Sequence, residues 1–147
     1  MIEERNFSDE QTIMSLQAAK GAGTAVDVHA YRHKKVTVIV SGMASSDAIT
    51  VKLYGTESSA EPTWVDGSDD PATVTSSNKY FPVALKDIDS GSTIAGSTGV
   101  VLVDAAGNGA TSYEFNDNGS IWLNALVTTY SVAGTGAITI NVSSYND

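Results

Sequence analysis

The sequence predicts an all-β protein, an antiparallel β-sandwich of jelly-roll-like form with about eight strands and a short N-terminal helical arm. Apolar residues recur at every second position in several short segments, for example at Val36, Val38 and Val40. This period of two is typical of strands buried on one face. Gly, Asn, Asp and Ser separate these segments at short intervals, a spacing typical of sandwiches and barrels. With 147 residues, the chain is long enough for one such domain.

Alternation and turn residues together place the strands in the sequence. The predicted strands are 24–31, 35–42, 47–55, 79–86, 98–103, 110–116, 120–129 and 136–144. Residues 107–109 and 116–119 are rich in Gly and Asn, which adopt the positive φ values of tight hairpin turns. We therefore expect residues 98–129 to form a three-stranded antiparallel meander. The polar stretch 56–78 is expected to be a long loop, a kind of segment that often carries function.

Residues 1–23 are expected to form an arm, and residues 24–147 the sandwich domain. Ser8 and Gln11 have the spacing of a capping box, which predicts the start of a short helix. Ile13 and Leu16 would share one side of it. A helix of two or three turns is marginal alone in water. It therefore packs on its own sandwich, orders against a neighbouring subunit, or remains a frayed tail.

Composition excludes several classes of function. Seventeen acidic and eight basic residues give a net charge of −9, which repels nucleic acid. The chain has no cysteine and therefore no disulfide or thiolate chemistry. No apolar run approaches the roughly 18 residues of a membrane span, and residues 1–20 lack the apolar core of a signal peptide. We expect a protein made in a cytosol, with no nucleic-acid or membrane partner.

Residue patterns that support catalysis or metal binding are weak. His29 and His33 would lie about 13 Å apart on a strand, too far to bind one zinc ion. Acidic turns that could in principle hold calcium lack the spacing of known calcium loops, and Asp and Asn also form turns without metal. These turns are Asp66/Asp69/Asp70, Asp87/Asp89 and Asp104/Asn108. Glu114 and Asp117 are close in sequence, but Glu114 alternates outward from its predicted strand, whereas glycoside hydrolysis needs two carboxylates facing each other across a cleft. We expect no enzymatic activity, no cofactor and no metal.

Two features remain as candidate contact surfaces. The first is the basic cluster around Arg32, Lys34 and Lys35, which is either a charged turn between strands or an attachment patch for an acidic protein surface. The second is the strand containing Trp122 and Leu126, which is apolar on both faces. Such a strand is covered on both faces, either by the arm or the 56–78 loop, or by another subunit.

In several segments the chain resembles small β-sandwich virion proteins of tailed bacteriophages, including capsid decoration (cement) and other head-associated proteins. These segments are 26–31 (VDVHAY), 35–42 (KVTVIVSG), 49–55 (ITVKLYG), 63–66 (TWVD) and 136–142 (GAITINV). The resemblance spans about residues 24–144 and is one of pattern and composition. The chain departs from it in its long 56–78 loop, which leaves open which surface would face a shell.

The resemblance implies a non-enzymatic protein on the capsid surface that binds the major capsid protein, reinforces the head and forms a homo-oligomer, with a trimer favoured. The residues expected at capsid or subunit contacts are Phe7, Ile13, Met14, Leu16, Arg32, Lys34, Lys35, Trp122 and Leu126. One alternative is a carbohydrate-binding or host-adhesion module with Trp64 in an aromatic strip. Another is a tail or baseplate component.

Overall fold

The computed structural model describes residues 10–29, 32–57, 80–115 and 120–145. These residues form twelve strands and one short 3-10 turn. The strands are β1 (Gln11–Gln17), β2 (Gly21–Ala22), β3 (Val26–Asp27), β4 (His33–Ser41), β5 (Ala48–Thr56), β6 (Phe81–Pro82), β7 (Leu85–Asp87), β8 (Thr93–Ile94), β9 (Val100–Val103), β10 (Gly109–Glu114), β11 (Trp122–Ser131) and β12 (Ala137–Tyr145), and the turn is Ala105–Gly107. The described residues include no helix with the length and hydrophobicity needed to cross a bilayer.

The strands form two six-stranded antiparallel sheets that pack face to face as a β-sandwich. Sheet I has the order β1-β12-β4-β10-β7-β8. In sheet II, β11 and β5 pair at the centre, β2 and β3 pair with the far side of β11, and β6 and β9 pair with β5. The predicted all-β sandwich is confirmed. The expected number of about eight strands is too low, since four of the twelve are two-residue strands that leave little alternation in the sequence.

Alternation along the long strands forms the core between the sheets. In β4 and β12, every second side chain is buried against the facing sheet, as the period of two predicts. Long β-branched strands favour this arrangement because Val and Ile pack well on a pleated surface. The largest fully buried apolar side chains are Ile49, Leu123, Ile138, Ile140, Val28, Val36, Val127 and Val142.

Residues 11–17 form strand β1, so the prediction of an N-terminal helix is wrong over this segment. β1 pairs antiparallel with β12, with two register shifts, one on each side of Met14. Its Ile13 and Met14 are buried in the sandwich core. The Ile13 carbonyl accepts a 2.8 Å hydrogen bond from the Thr24 amide, just after the chain has crossed to sheet II. β1 therefore belongs to the sandwich of its own chain. The predicted N-cap, Ser8, lies outside the described residues.

The predicted meander over residues 98–129 is also wrong. β9 pairs with β5 in sheet II, β10 pairs with β4 and β7 in sheet I, and β11 returns to sheet II beside β5. The three strands are therefore consecutive in sequence but alternate between the sheets. The 3-10 turn Ala105–Gly107 carries the first of these crossings. The 116–119 turn lies outside the described residues.

Candidate functional site

The basic cluster lies where β4 begins, at one end of sheet I. Arg32 is exposed just before the strand. Lys34 lies on the same side of β4 as Val36 and is only 7 % exposed, because that side faces the sandwich interior. Lys35 lies on the opposite face and is half-buried. Strand alternation therefore turns Lys34 toward the interior and Lys35 away from it, while Arg32, which precedes the strand, is exposed.

An aromatic stack adjoins this cluster. His33 at the start of β4 pairs in register with Tyr145 at the end of β12. Their rings stack with centroids 5.0 Å apart and an angle of 18° between the planes. The stack places a flat apolar surface beside the cations. Tyr145 did not stand out in the sequence, because only the β4–β12 pairing brings it to His33.

Lys86 of β7 and Glu114 of β10 lie on the next two strands of sheet I beside the basic cluster. Glu114, at the end of β10, lies opposite Lys35 on one side and opposite Lys86 of β7 on the other. Lys86 and Glu114 are both exposed. A row of alternating charge, lysine, glutamate, lysine, thus crosses three neighbouring strands. Neither Lys86 nor Glu114 stood out in the sequence as a partner of the basic cluster.

Except for Lys35, these side chains line a cavity of about 420 Å³, called here the basic cavity. Its lining residues are Arg32, His33, Lys34, Ala84, Leu85, Lys86, Thr93, Glu114, Phe115 and Tyr145. With neutral histidine, the described residues of the lining carry three positive charges and one negative charge. It is therefore locally basic on a chain whose net charge is −9. Such a cavity attracts anionic groups and offers them Arg and Lys donors.

The predicted contact residues of the arm have different environments. Ile13 and Met14 are core residues of their own sandwich. Leu16 is 68 % exposed and has a φ of 48°, and its amide donates to the Thr139 hydroxyl of β12 at 3.0 Å. Of these three side chains, Leu16 alone is available to another molecule in the folded chain. Phe7 lies outside the described residues.

Trp122 and Leu126 lie on the face of β11 that points away from the interior of the sandwich. Leu126 is 2 % exposed in the single chain, and Asn124 and Tyr54 on the same face are also buried. Trp122 is half-buried, and its indole N–H has no hydrogen-bond partner among the described residues. Both faces of β11 are therefore covered over Asn124 and Leu126 within one chain, as expected for a central strand.

In the acidic turns, side-chain oxygens accept hydrogen bonds from backbone amides. Asp87 Oδ1 accepts hydrogen bonds from the amides of Asp89 and Ser90. Asp104 Oδ1 accepts from the Ser46 amide at 2.7 Å, and the Asn108 side-chain amide bonds both backbone groups of Met43. In the described parts of the chain, no three His, Asp or Glu side chains converge in a way that would hold a metal ion. Asp66, Asp69 and Asp70 lie outside those parts.

The two histidines have separate partners. The Nδ1 atom of His29 contacts Asp27 Oδ1, and the His29 amide donates to the same oxygen at 3.1 Å. Burial acts to raise the pKa of Asp27, but these hydrogen bonds and the charge of His29 bring that pKa below its usual value. His33 is instead stacked on Tyr145.

Comparison with known proteins shows a shared fold. Neither a model of a known protein family nor a curated protein matches the sequence. Among solved structures, the chain is similar to the SPBc2 prophage-derived protein YomS, with 14 % identity, a TM-score of 0.60 and coverage of 99 % of this chain and 98 % of that one. It is also similar to the PBSX exported protein XepA, with 16 % identity and a TM-score of 0.56. That match covers 99 % of this chain, which spans 40 % of the length of XepA. At these identities, the similarity shows that the chain shares the sandwich architecture of two phage-derived proteins.

Proposed function

We propose that the chain is a non-enzymatic structural protein of a tailed bacteriophage, and that it decorates the outer surface of the head by binding the major capsid protein. The observation that carries the proposal is the full-length match to YomS, a prophage-derived protein. The two chains cover each other almost completely, so the whole folded unit is shared. The step from a shared fold to a shared phage setting is our inference.

The hydrogen bonds that the polar turn side chains make to the backbone support a binding role. Asp87, Asp104 and Asn108 hold loop backbone by hydrogen bonds, which is the work of a rigid scaffold. Among the described residues, the basic cavity is a place where this acidic chain presents the opposite charge to a partner. Complementary charge orients two proteins as they meet and speeds their association.

Repetition on a symmetric shell would make weak contacts sufficient. In the proposed assembly, the chain forms a small oligomer, with a trimer favoured, and each protomer binds one neighbouring capsid subunit. Linking binding sites in this way raises the overall affinity by about 10²–10⁴-fold without any new contact. A modest contact at the exposed part of each protomer, such as Arg32, Lys86 and Leu16, then suffices.

The test uses the phage that encodes the chain and a mutant of that phage lacking the gene. Heads and tails of the mutant are separated on a density gradient, and purified protein is added back to each. We expect saturable co-sedimentation with heads and none with tails. Binding to tails alone would support a tail or baseplate component instead. Binding to neither particle, together with binding to host glycans, would support the adhesion alternative, whose predicted Trp64 lies outside the described residues.

A further inference from the structure

We propose that the basic cavity is a binding site for carboxylate side chains, and that it receives an acidic peptide segment of a partner protein. The inference deepens the proposed function and rests on it in one respect, that the partner is a protein. The described residues that line the cavity lie in sheet I and in the loops at its end. It therefore exists in the single folded chain before any partner binds.

The positions of the three cations favour carboxylate binding. Lys34, at 7 % exposure, is fixed by packing and partly removed from water, so its charge is screened less than that of a solvated lysine. Arg32 is exposed and carries the planar group that binds a carboxylate through two parallel hydrogen bonds. Lys86 provides a third donor from β7, which is separated from β4 by β10. Two carboxylates on one short segment match this arrangement.

The remaining lining residues favour a peptide over a polyphosphate. Glu114 faces the same cavity and, with the net charge of −9, opposes a dense polyanion such as nucleic acid. A peptide carries backbone N–H groups, which can donate hydrogen bonds to the Glu114 carboxylate. Leu85 and the His33–Tyr145 stack offer apolar surface to the side chains between the carboxylates. A volume of about 420 Å³ accommodates a few side chains.

The test is a titration of the full-length ¹⁵N-labelled protein with a capped peptide, acetyl-Gly-Glu-Leu-Glu-Gly-amide, at low ionic strength. We expect amide shift changes concentrated at residues that line the basic cavity. Arg32→Ala and Lys86→Ala should each weaken binding by about tenfold, the effect of losing one charge-assisted hydrogen bond. Both side chains are exposed, so their removal leaves the fold intact, which the spectrum of each variant verifies.

Two controls separate the site from general electrostatics. Lys52→Ala removes the same charge from β5 in sheet II, outside the cavity, and should leave the affinity unchanged. The peptide with Gln in place of Glu should not bind. An equal loss in Lys52→Ala, or no shift changes with the glutamate peptide, would overturn the proposal. Tighter binding of inorganic phosphate or galacturonate at the same residues would also overturn it. Since no phage particle is used, failure here is distinct from failure of the head-binding experiment.

Discussion

At the scale of single residues, one buried carboxylate ties together three loops at the end of the sandwich. Asp47 is 3 % exposed. Its side chain accepts hydrogen bonds from the amides of Ala44, at 2.8 Å, and Ala133, at 3.1 Å. Its backbone carbonyl accepts from the amide of Asp104 at 2.8 Å. Because buried donors lose free energy when they have no acceptor, this residue stabilises the fold more than an exposed turn aspartate does.

Asp47→Ala is expected to reduce the free energy of unfolding by about 2 kcal/mol, since the amides of Ala44 and Ala133 lose their acceptor. Urea denaturation measures the change. Asp89→Ala is the matched control, because Asp89 is an exposed turn residue, and its effect should stay within about 0.5 kcal/mol. Equal effects of the two substitutions would show that the Asp47 hydrogen bonds stabilise the fold no more than an exposed turn aspartate does.

Tyr113 provides a prediction about pH. Burial raises the pKa of its phenol, the negative charge of Asp87 raises it further, and a hydrogen bond with the Thr111 side chain acts in the opposite direction, so that the pKa lies above its usual value of 10.0. The folded state therefore holds the phenol proton more tightly than the unfolded state does. This contribution to stability is complete below about pH 10 and is lost as the pH rises through the folded-state pKa.

We expect the wild-type protein to lose stability above about pH 10 more steeply than Tyr113→Phe, which has no phenol to ionise at this position. Urea denaturation between about pH 7 and pH 11 measures both curves. The difference between the two proteins should be constant near neutral pH, where the phenol stays protonated. Parallel curves over the whole range would contradict the raised pKa.

At the scale of elements, the long regular strands were predictable and the irregular ones were not. β4, β5, β11 and β12 lie within about two residues of their predicted bounds, because alternation and β-branched residues persist along each of them. β1 has two register shifts, and it buries the adjacent residues Ile13 and Met14 while exposing Leu16. The bulged strand thereby loses its period of two. Its apolar spacing then resembles that of a helix.

The pairing of strands was less predictable than their positions. Residues 107–109 carry the Gly and Asn of a tight hairpin, yet the chain crosses here from sheet II to sheet I. A hairpin and a crossing between sheets can use the same turn residues, since both need positive φ, as at Gly109. Local sequence therefore identifies the turn, while packing across the core decides which strands pair.

β1 gives a direct test of the corrected element. Ile13→Ala should lower the free energy of unfolding by about 2–4 kcal/mol, because it leaves a cavity in the sandwich core. Leu16→Ala, three residues away on the same strand, should change it by no more than about 0.5 kcal/mol. Chemical denaturation of the two variants compares them. A helical arm that docks only on another molecule would make both substitutions silent in the isolated chain.

At the scale of the whole molecule, only part of the candidate site was predictable from the sequence. Arg32 and Lys34 were identified because they lie two residues apart in an otherwise acidic chain. Lys86, Glu114 and Tyr145 join them from three other strands, and only the order β12-β4-β10-β7 brings these residues together. The described residues that line the cavity are therefore basic on a chain whose net charge is −9. On the proposed function, this contrast in charge would orient the protein toward its partner.

Cryo-electron microscopy of the phage particle tests the head-decoration proposal most directly, by comparing wild-type particles with particles lacking the gene. We predict sandwich-shaped density on the outside of the wild-type head that is missing from the mutant. The start of β4 and the end of β12 should lie nearest the shell, against acidic residues of the capsid protein. Identical heads in the two reconstructions would contradict this account.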